Sequence, residues 1–470
     1  MDYSVQVVKK TKRHSREELK AFSKEQLVDR IIQLESQNFQ LKNIIQKTTG
    51  SKTVECVTRQ KKHRSFDFSK CHKRHILLRF FYLGWDYHGY ASQEDSANTI
   101  EYHLFNALTR VCLIENRESS NYHRCGRTDK GVSAFHQVVS LDVRSKFPLD
   151  KQLEPESITA ELNYCQLLNR VLPPDIRCIA WMPMVNPVYS ARFDCSSRTY
   201  RYFFPRGELD VAAMQEACRF LVGLHDFRNL CKMDVGNGVV TFTRNIHYAF
   251  IKESRKDGEE SSYDMLYFEL RGKAFLWHQV RCIMAILILV GQGKEKPNVI
   301  RELLDVESNP RKPQYSLAND MPLNLYECEF RRKGTFDPEL FDKNAPIVEE
   351  DDNVDGESDL RDWVYEEESL SRTIAELQAL WAASSVKSTM CREMLKSLHV
   401  IYGRHFETLP TPNFQAASLL QGVQRKEYIP LMERKKCESL ENRIEHYSKK
   451  RRIQVNQKEV IESTPRETKD

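Results

Sequence analysis

No apolar stretch in this 470-residue chain is long enough to cross a bilayer. The longest unbroken run, Cys282 to Val290, has nine residues, about half of the roughly 20 that a spanning helix needs. The opening residues reach Lys9-Lys10 without an apolar core, so they do not read as a secretory leader. No membrane partner is expected, and the chain is expected to work on the reducing side of the membrane. No C-x-x-C pair and no H-E-x-x-H occurs anywhere, which leaves zinc chemistry without support. Cys71, His72 and His75 lie close together but lack a fourth ligand, so no metal is expected. The 13 cysteines are odd in number and scattered through apolar contexts such as Val111-Cys112-Leu113, and they read as free thiols. Glycine and proline are sparse, at 17 each, while 40% of the residues are hydrophobic. That balance excludes a collagenous or wholly disordered chain and allows two to four domains with sizeable cores.

Charge is distributed unevenly. The whole chain carries +5, but Glu349 to Glu368 holds eleven acidic residues against Arg361 alone, so the remainder carries +15. The bulk of the chain therefore suits a polyanionic partner.

The spacing divides the chain into segments. Residues 1–14 are expected to be disordered, and 15–46 to form a coiled-coil helix, since Leu27, Leu34 and Leu41 recur every seven residues with Ile31, Asn38 and Ile45 between them. So short a pattern fits self-association and packing on the chain's own body equally well. Residues 47–74 are polar and basic, a linker that permits nuclear entry or nucleic-acid steering. Order is expected from His75, where Ile76 to Tyr82 reads as a buried strand and Thr99 to Leu113 as a helix. Strand-like Tyr200 to Phe204 and Tyr263 to Leu270, and helix-like Val211 to Val222 and Phe275 to Val290, repeat that order in a second block. Residues 75–187 and 188–332 thus read as two similar α/β domains with antiparallel sheets. An acidic linker at 333–369, a helical basic extension at 370–455 and a disordered tail at 456–470 complete the reading.

The most unusual segment is Arg124-Cys125-Gly126-Arg127-Thr128-Asp129-Lys130-Gly131-Val132. Gly126 and Gly131 permit a tight loop with close backbone approach to a ligand, and Arg127 and Lys130 are expected to keep Asp129 ionised. An ionised loop carboxylate suits nucleophilic attack at a sugar carbon. It equally suits capping of its own turn, the commoner use of aspartate between glycines. Cys125 lies near two arginines, but no histidine base follows it at a useful spacing, so a thiol nucleophile is not favoured.

Arg127-Thr128-Asp129-Lys130-Gly131-Val132 resembles the signature loop of the TruA family of tRNA pseudouridine synthases. Tyr189-Ser190-Ala191-Arg192-Phe193, Arg198-Thr199-Tyr200-Arg201-Tyr202, His225-Asp226-Phe227 and Ala274-Phe275-Leu276-Trp277-His278-Gln279-Val280-Arg281 are similar to the family's other motifs, in the same order. The likeness covers about His75 to Glu329. Phe66-Asp67-Phe68-Ser69, His225 through Asp234, Lys312-Pro313-Gln314-Tyr315-Ser316 and Tyr428-Ile429-Pro430-Leu431-Met432 resemble the eukaryotic subgroup that acts on uridines 38 and 39 of the tRNA anticodon arm.

The resemblance implies an α+β fold: two similar α/β domains with antiparallel sheets, ferredoxin-like or RRM-like halves forming a central cleft, plus the N-terminal coiled-coil helix and the helical C-terminal extension. It implies that Asp129 attacks a flipped uridine, by addition to the ribose or by a glycal route, with no cofactor. Arg127 corresponds to the arginine that fills the vacated base position and pairs with a carboxylate or phosphate. Tyr200 corresponds to the tyrosine that stacks on uracil and assists proton removal at C5. Arg281 corresponds to the arginine that pairs with the catalytic aspartate. Trp277 and His278 are expected to line the pocket or simply to pack, with packing favoured for Trp277. Expected partners are tRNA and a second copy of the chain, and the expected location is nucleus and cytoplasm. Two alternatives remain: the same chemistry on other tRNA or messenger RNA uridines, and a non-catalytic tRNA-binding scaffold.

Overall fold

The computed structural model describes residues 22, 66–93, 98–152, 154–184, 186–256, 261–330, 363–406, 414–422 and 427–451. The heptad segment 15–46, nearly all of it, and both expected disordered ends lie outside these residues. Among the described residues no helix is long and apolar enough to cross a membrane.

The first half consists of β1 (His72–Tyr82), α1 (Ile100–Arg110), β2 (His123–Arg124), β3 (Ser133–Ser145), α2 (Pro155–Thr159), α3 (Tyr164–Asn169) and β4 (Ile176–Pro183). The second comprises β5 (Cys195–Pro205), α4 (Val211–Arg219), β6 (Gly223–Asp226), β7 (Thr243–Arg255), β8 (Met265–Gly272), α5 (Gln279–Gly291), α6 (Val299–Leu304) and β9 (Leu323–Phe330). After them come β10 (Val364–Tyr365), α7 (Glu367–His405) and α8 (Leu440–Arg451).

β1 starts four residues earlier than its apolar run, and Arg74 within it, expected in the basic linker, is buried with partners. Its Nη1 lies 3.3 Å from Glu161, its Nη2 donates to the Gln152 carbonyl at 2.5 Å, and its guanidinium lies over the Trp181 ring. A buried guanidinium is tolerated when it is paired and hydrogen-bonded in this way.

Two antiparallel sheets are expected from the sequence; the described strands instead form one ten-stranded mixed sheet in the order β10-β4-β1-β3-β9-β5-β8-β7-β6, with β2 beside β3. The reason is β9, which closes the second half yet inserts between β3 and β5. It pairs parallel with β3 at Ser133–Asn324 and Ala134–Leu325, and antiparallel with β5. One row of paired residues therefore runs Tyr82, Ala134, Leu325, Tyr200, Leu270, Ala249 across both halves. Paired residues share a face of the sheet, and this row is buried throughout.

All thirteen residues of α5 are buried, its long apolar run included. Gly291 at its end lets α4 come close, since a Cβ there would meet Met214 Sδ at 2.5 Å. Each fully buried Leu or Ile of such a helix contributes about 1.5–3 kcal/mol relative to an exposed one.

The end of the acidic stretch is ordered where a linker is expected. Trp363 is buried against Arg79, at 4.1 Å from guanidinium to ring, and β10 adds to the edge of β4. Glu366 accepts the Cys165 and Gln166 backbone N–H groups at 3.0 and 2.9 Å, so an acidic side chain serves the open N-terminus of α3. The helical extension expected from residue 370 opens with one long helix, Glu367–His405.

Candidate active site

The loop before β3 is held by its backbone. The Thr128 carbonyl accepts from Tyr90 N–H at 3.1 Å, Gly131 N–H donates to the Tyr87 carbonyl at 3.3 Å, and Val132 N–H to the Asp129 carbonyl at 3.2 Å. Beneath it Tyr82 Oη and Thr128 Oγ1 lie 2.8 Å apart, and Gln137 donates to the Gly126 carbonyl at 3.2 Å. Two glycines are required here. Gly131 has φ +78°, and a Cβ on it would lie 3.0 Å from the Asp320 carboxyl; a Cβ on Gly84 would meet the Val132 carbonyl oxygen at 1.9 Å. The turn is thus fixed, and Asp129 is left with a carboxylate 30% exposed.

Opposite the loop, the chain entering α5 departs from the helix expected over Phe275 to Val290. His278 adopts φ +58°, so α5 begins only at Gln279, and Trp277 and His278 are delivered to Asp129 side by side with their rings 4.7 Å apart. His278 Nε2 lies 3.3 Å from Asp129 Oδ2, and the Trp277 side chain faces the same carboxylate and lowers its pKa. Trp277, expected to pack, is 47% exposed, with Lys232 Nζ 5.4 Å from its ring.

Electrostatics here differ from the sequence reading. Burial raises the Asp129 carboxyl above its ordinary value; Arg281, the Trp277 hydrogen bond and Lys232 oppose that rise, and Asp320 adds to it. The foremost cations restraining it are Arg281 and Lys232. Arg281 is buried in the first turn of α5; its Nη2 lies 3.6 Å from Asp320, and its Nε donates to the Ala318 carbonyl at 2.9 Å. Its direct carboxylate partner is Asp320, and it acts on Asp129 through space. His278 is pulled down to about 3 by burial, then by Arg281, Lys232 and Lys312, so it is neutral at physiological pH.

Tyr200 lies on β5 with its ring edge-on to Phe275 at 5.0 Å. Burial holds its phenol well above the ordinary value, so it stays protonated. Arg127 is exposed; burial first, then the like charges of Arg124 and Arg192, pull its guanidinium below its usual value. A phosphate relieves such crowding of cations. Cys125 is buried beneath the loop, its carbonyl accepting from Arg198 Nη2 at 2.8 Å.

Asp320 joins the site unannounced by any motif, and Lys232 lies inside the subgroup phrase His225 to Asp234 without a role read from it. They sit in connections far from the loop in sequence, and the one available signal, the close approach at Gly131, is spatial. Among the described residues no group of three His, Cys, Asp or Glu side chains could hold a metal ion.

Known proteins share this arrangement of sequence. Residues 217–331 match the family described as tRNA pseudouridine synthase. The human tRNA pseudouridine(38/39) synthase is 44% identical across 92% of this chain and 86% of its own length. The protein of that name from Saccharomyces cerevisiae is 41% identical across 69% of this chain and 74% of its own length. The tRNA pseudouridine synthase A of Methanosarcina barkeri is 33% identical across 49% of this chain and 76% of its own length. With relatives this similar over most of its length, the chain belongs to the TruA family of tRNA pseudouridine synthases, in the eukaryotic subgroup of the tRNA pseudouridine(38/39) synthases.

Proposed function

We propose that this protein isomerises uridine to pseudouridine at positions 38 and 39 of the tRNA anticodon arm, with Asp129 as the nucleophile. The observation that carries the reading is Asp129 itself: a partly buried carboxylate on a glycine-fixed turn, at the junction of the two sheet halves, facing His278 before α5 in a chain so similar to tRNA pseudouridine(38/39) synthases.

The uridine leaves its stack and enters beside Asp129. Asp129 promotes cleavage of the bond between C1′ and N1; the base turns, C1′ bonds to C5, the C5 proton leaves and N1 takes up a proton. Bonds and protons balance within one nucleotide, so the residues need no redox partner. Tyr200, kept protonated by burial, offers its ring to uracil and its hydroxyl as a hydrogen-bond donor. Arg127, crowded by Arg124 and Arg192, takes the space of the flipped base and a backbone phosphate. Arg281 holds Asp320 and, through space, favours the Asp129 carboxylate over its acid form.

Two α/β halves of ferredoxin-like or RRM-like type, meeting at β3 and β9, bound the cleft in this reading. The protein acts as a homodimer in nucleus and cytoplasm, supported by the heptads of 15–46 and the basic clusters. The side chains of Lys449 to Arg452, proposed to add tRNA contacts, lie outside the described residues.

The test is tritium release from tRNA carrying 5-tritiated uridine. Wild-type protein should release the label from substrate tRNA and the Asp129→Ala variant should not, with tRNA affinity within about threefold. Release by the variant would remove Asp129 from its role.

A further inference from the structure

We propose that Trp277 and His278 form a two-pronged hydrogen-bond clamp that aims the Asp129 carboxylate, with His278 as a positioning residue for the isomerisation; the inference rests on the reading above and deepens it. Neither residue is expected from the sequence to touch the nucleophile.

Three independent observations converge on His278. The first is its backbone: φ +58° lies in the left-handed region, where an L side chain is strained and glycine is not. Successive side chains of an extended chain point to opposite sides, and the left-handed turn brings those of Trp277 and His278 round to one side, as their tilted rings 4.7 Å apart show.

The second is the ring's surroundings. The His278 side chain is 11% exposed, and its Nδ1 is buried with no hydrogen-bond partner among the described residues. A buried polar atom without a partner is a cost that packing alone does not explain. The third is the contact: Nε2 at 3.3 Å from Asp129 Oδ2, slightly longer than a usual N–H···O bond, as often found before substrate tightens a site.

The charge state suits the role. The groups facing the pair are Arg281 from α5, Lys232 and Lys312 from the connections, and Asp320 before β9. Burial first, and then the three cations, keep His278 neutral, so with Nε2 protonated it donates to the carboxylate without transferring a proton to it. Neutral donors orient a carboxylate and favour its ionised form, while leaving more of its nucleophilicity than an ion pair would.

The test is single-turnover isomerisation of tRNA by the full chain across about pH 5 to 9, with tRNA affinity and thermal midpoint measured beside it. His278→Gly removes the side chain while relieving the backbone, so its midpoint should equal or exceed that of wild type. Its rate should fall about tenfold to a hundredfold with affinity within about twofold, and the acidic limb of the profile should move to higher pH. His278→Gln, whose amide nitrogen reaches toward the same oxygen, should recover part of the rate. Trp277→Phe, which keeps a ring and loses the N–H, should move the limb the same way by less.

A His278→Gly protein with wild-type rate and an unmoved limb would overturn the clamp while leaving the isomerase intact. So would a loss that follows a lowered midpoint and is not recovered by glutamine. Wild-type protein inactive on substrate tRNA would instead overturn the function itself.

Discussion

The two halves of the sheet build the site in different ways. The first supplies the reacting group through backbone: Asp129 stands where it does because Gly131 permits φ +78°, Gly84 admits Val132, and main-chain bonds from Tyr87 and Tyr90 fix the turn. The second supplies the environment through side chains, with Tyr200 from β5, Trp277, His278 and Arg281 around the start of α5, and Lys232 and Asp320 from connections. Geometry set by backbone is intolerant of small changes, whereas an environment shared among several side chains degrades in steps.

Variants on the two sides should separate accordingly. The largest effect falls on the reacting group: Asp129→Asn should lower single-turnover isomerisation by about 10⁴-fold or more. The same variant should be more stable than wild type at neutral pH. Because burial raises the Asp129 pKa above its unfolded value of 3.8, keeping it ionised costs folding free energy as pH rises through that window. The gain in thermal midpoint should therefore be present at pH 7 and vanish below about pH 4.

Next comes the backbone of the first half. Gly131→Ala places a Cβ 3.0 Å from the Asp320 carboxyl at a positive φ. It should cost about 1–2 kcal/mol in chemical denaturation and lower the rate about a hundredfold by displacing Asp129.

In the second half, Tyr200→Ala should cost about 3 kcal/mol, because the ring is buried against Phe275. Tyr200→Phe should keep most of that stability and lose rate by the share that the hydroxyl contributes. Equal rates for the two would mean that the ring does not matter.

The smallest effect lies away from the site. Glu366→Ala removes the acceptor for two N–H groups at the start of α3, costs about 1 kcal/mol, and leaves the rate unchanged.

The same division explains what was legible in the sequence. The loop could be read because its residues are contiguous, and a left-handed turn leaves glycine as its mark. Strands and helices of the core appeared from periodicity, as in β1 and α1. The join between the halves did not, since a register between Ala134 and Leu325 connects positions almost two hundred residues apart and leaves no local pattern. Nothing in the apolar composition of α5 reveals a left-handed His278, so the pattern places the helix start too early. Sequence alone pairs Arg281 with Asp129 rather than Asp320 and favours packing for Trp277, because both outcomes follow from where α5 begins and what faces it. Arg74 and Glu366 looked like solvated linker charges, and each is taken up by a specific partner.

The most direct test of the account is pseudouridine mapping at single-nucleotide resolution on tRNA lacking the modification, treated with wild-type protein or with Asp129→Asn. The account predicts signal at positions 38 and 39 with wild type and none with the variant. Signal from the variant, or no signal at these positions from wild-type protein that binds the tRNA, would contradict it.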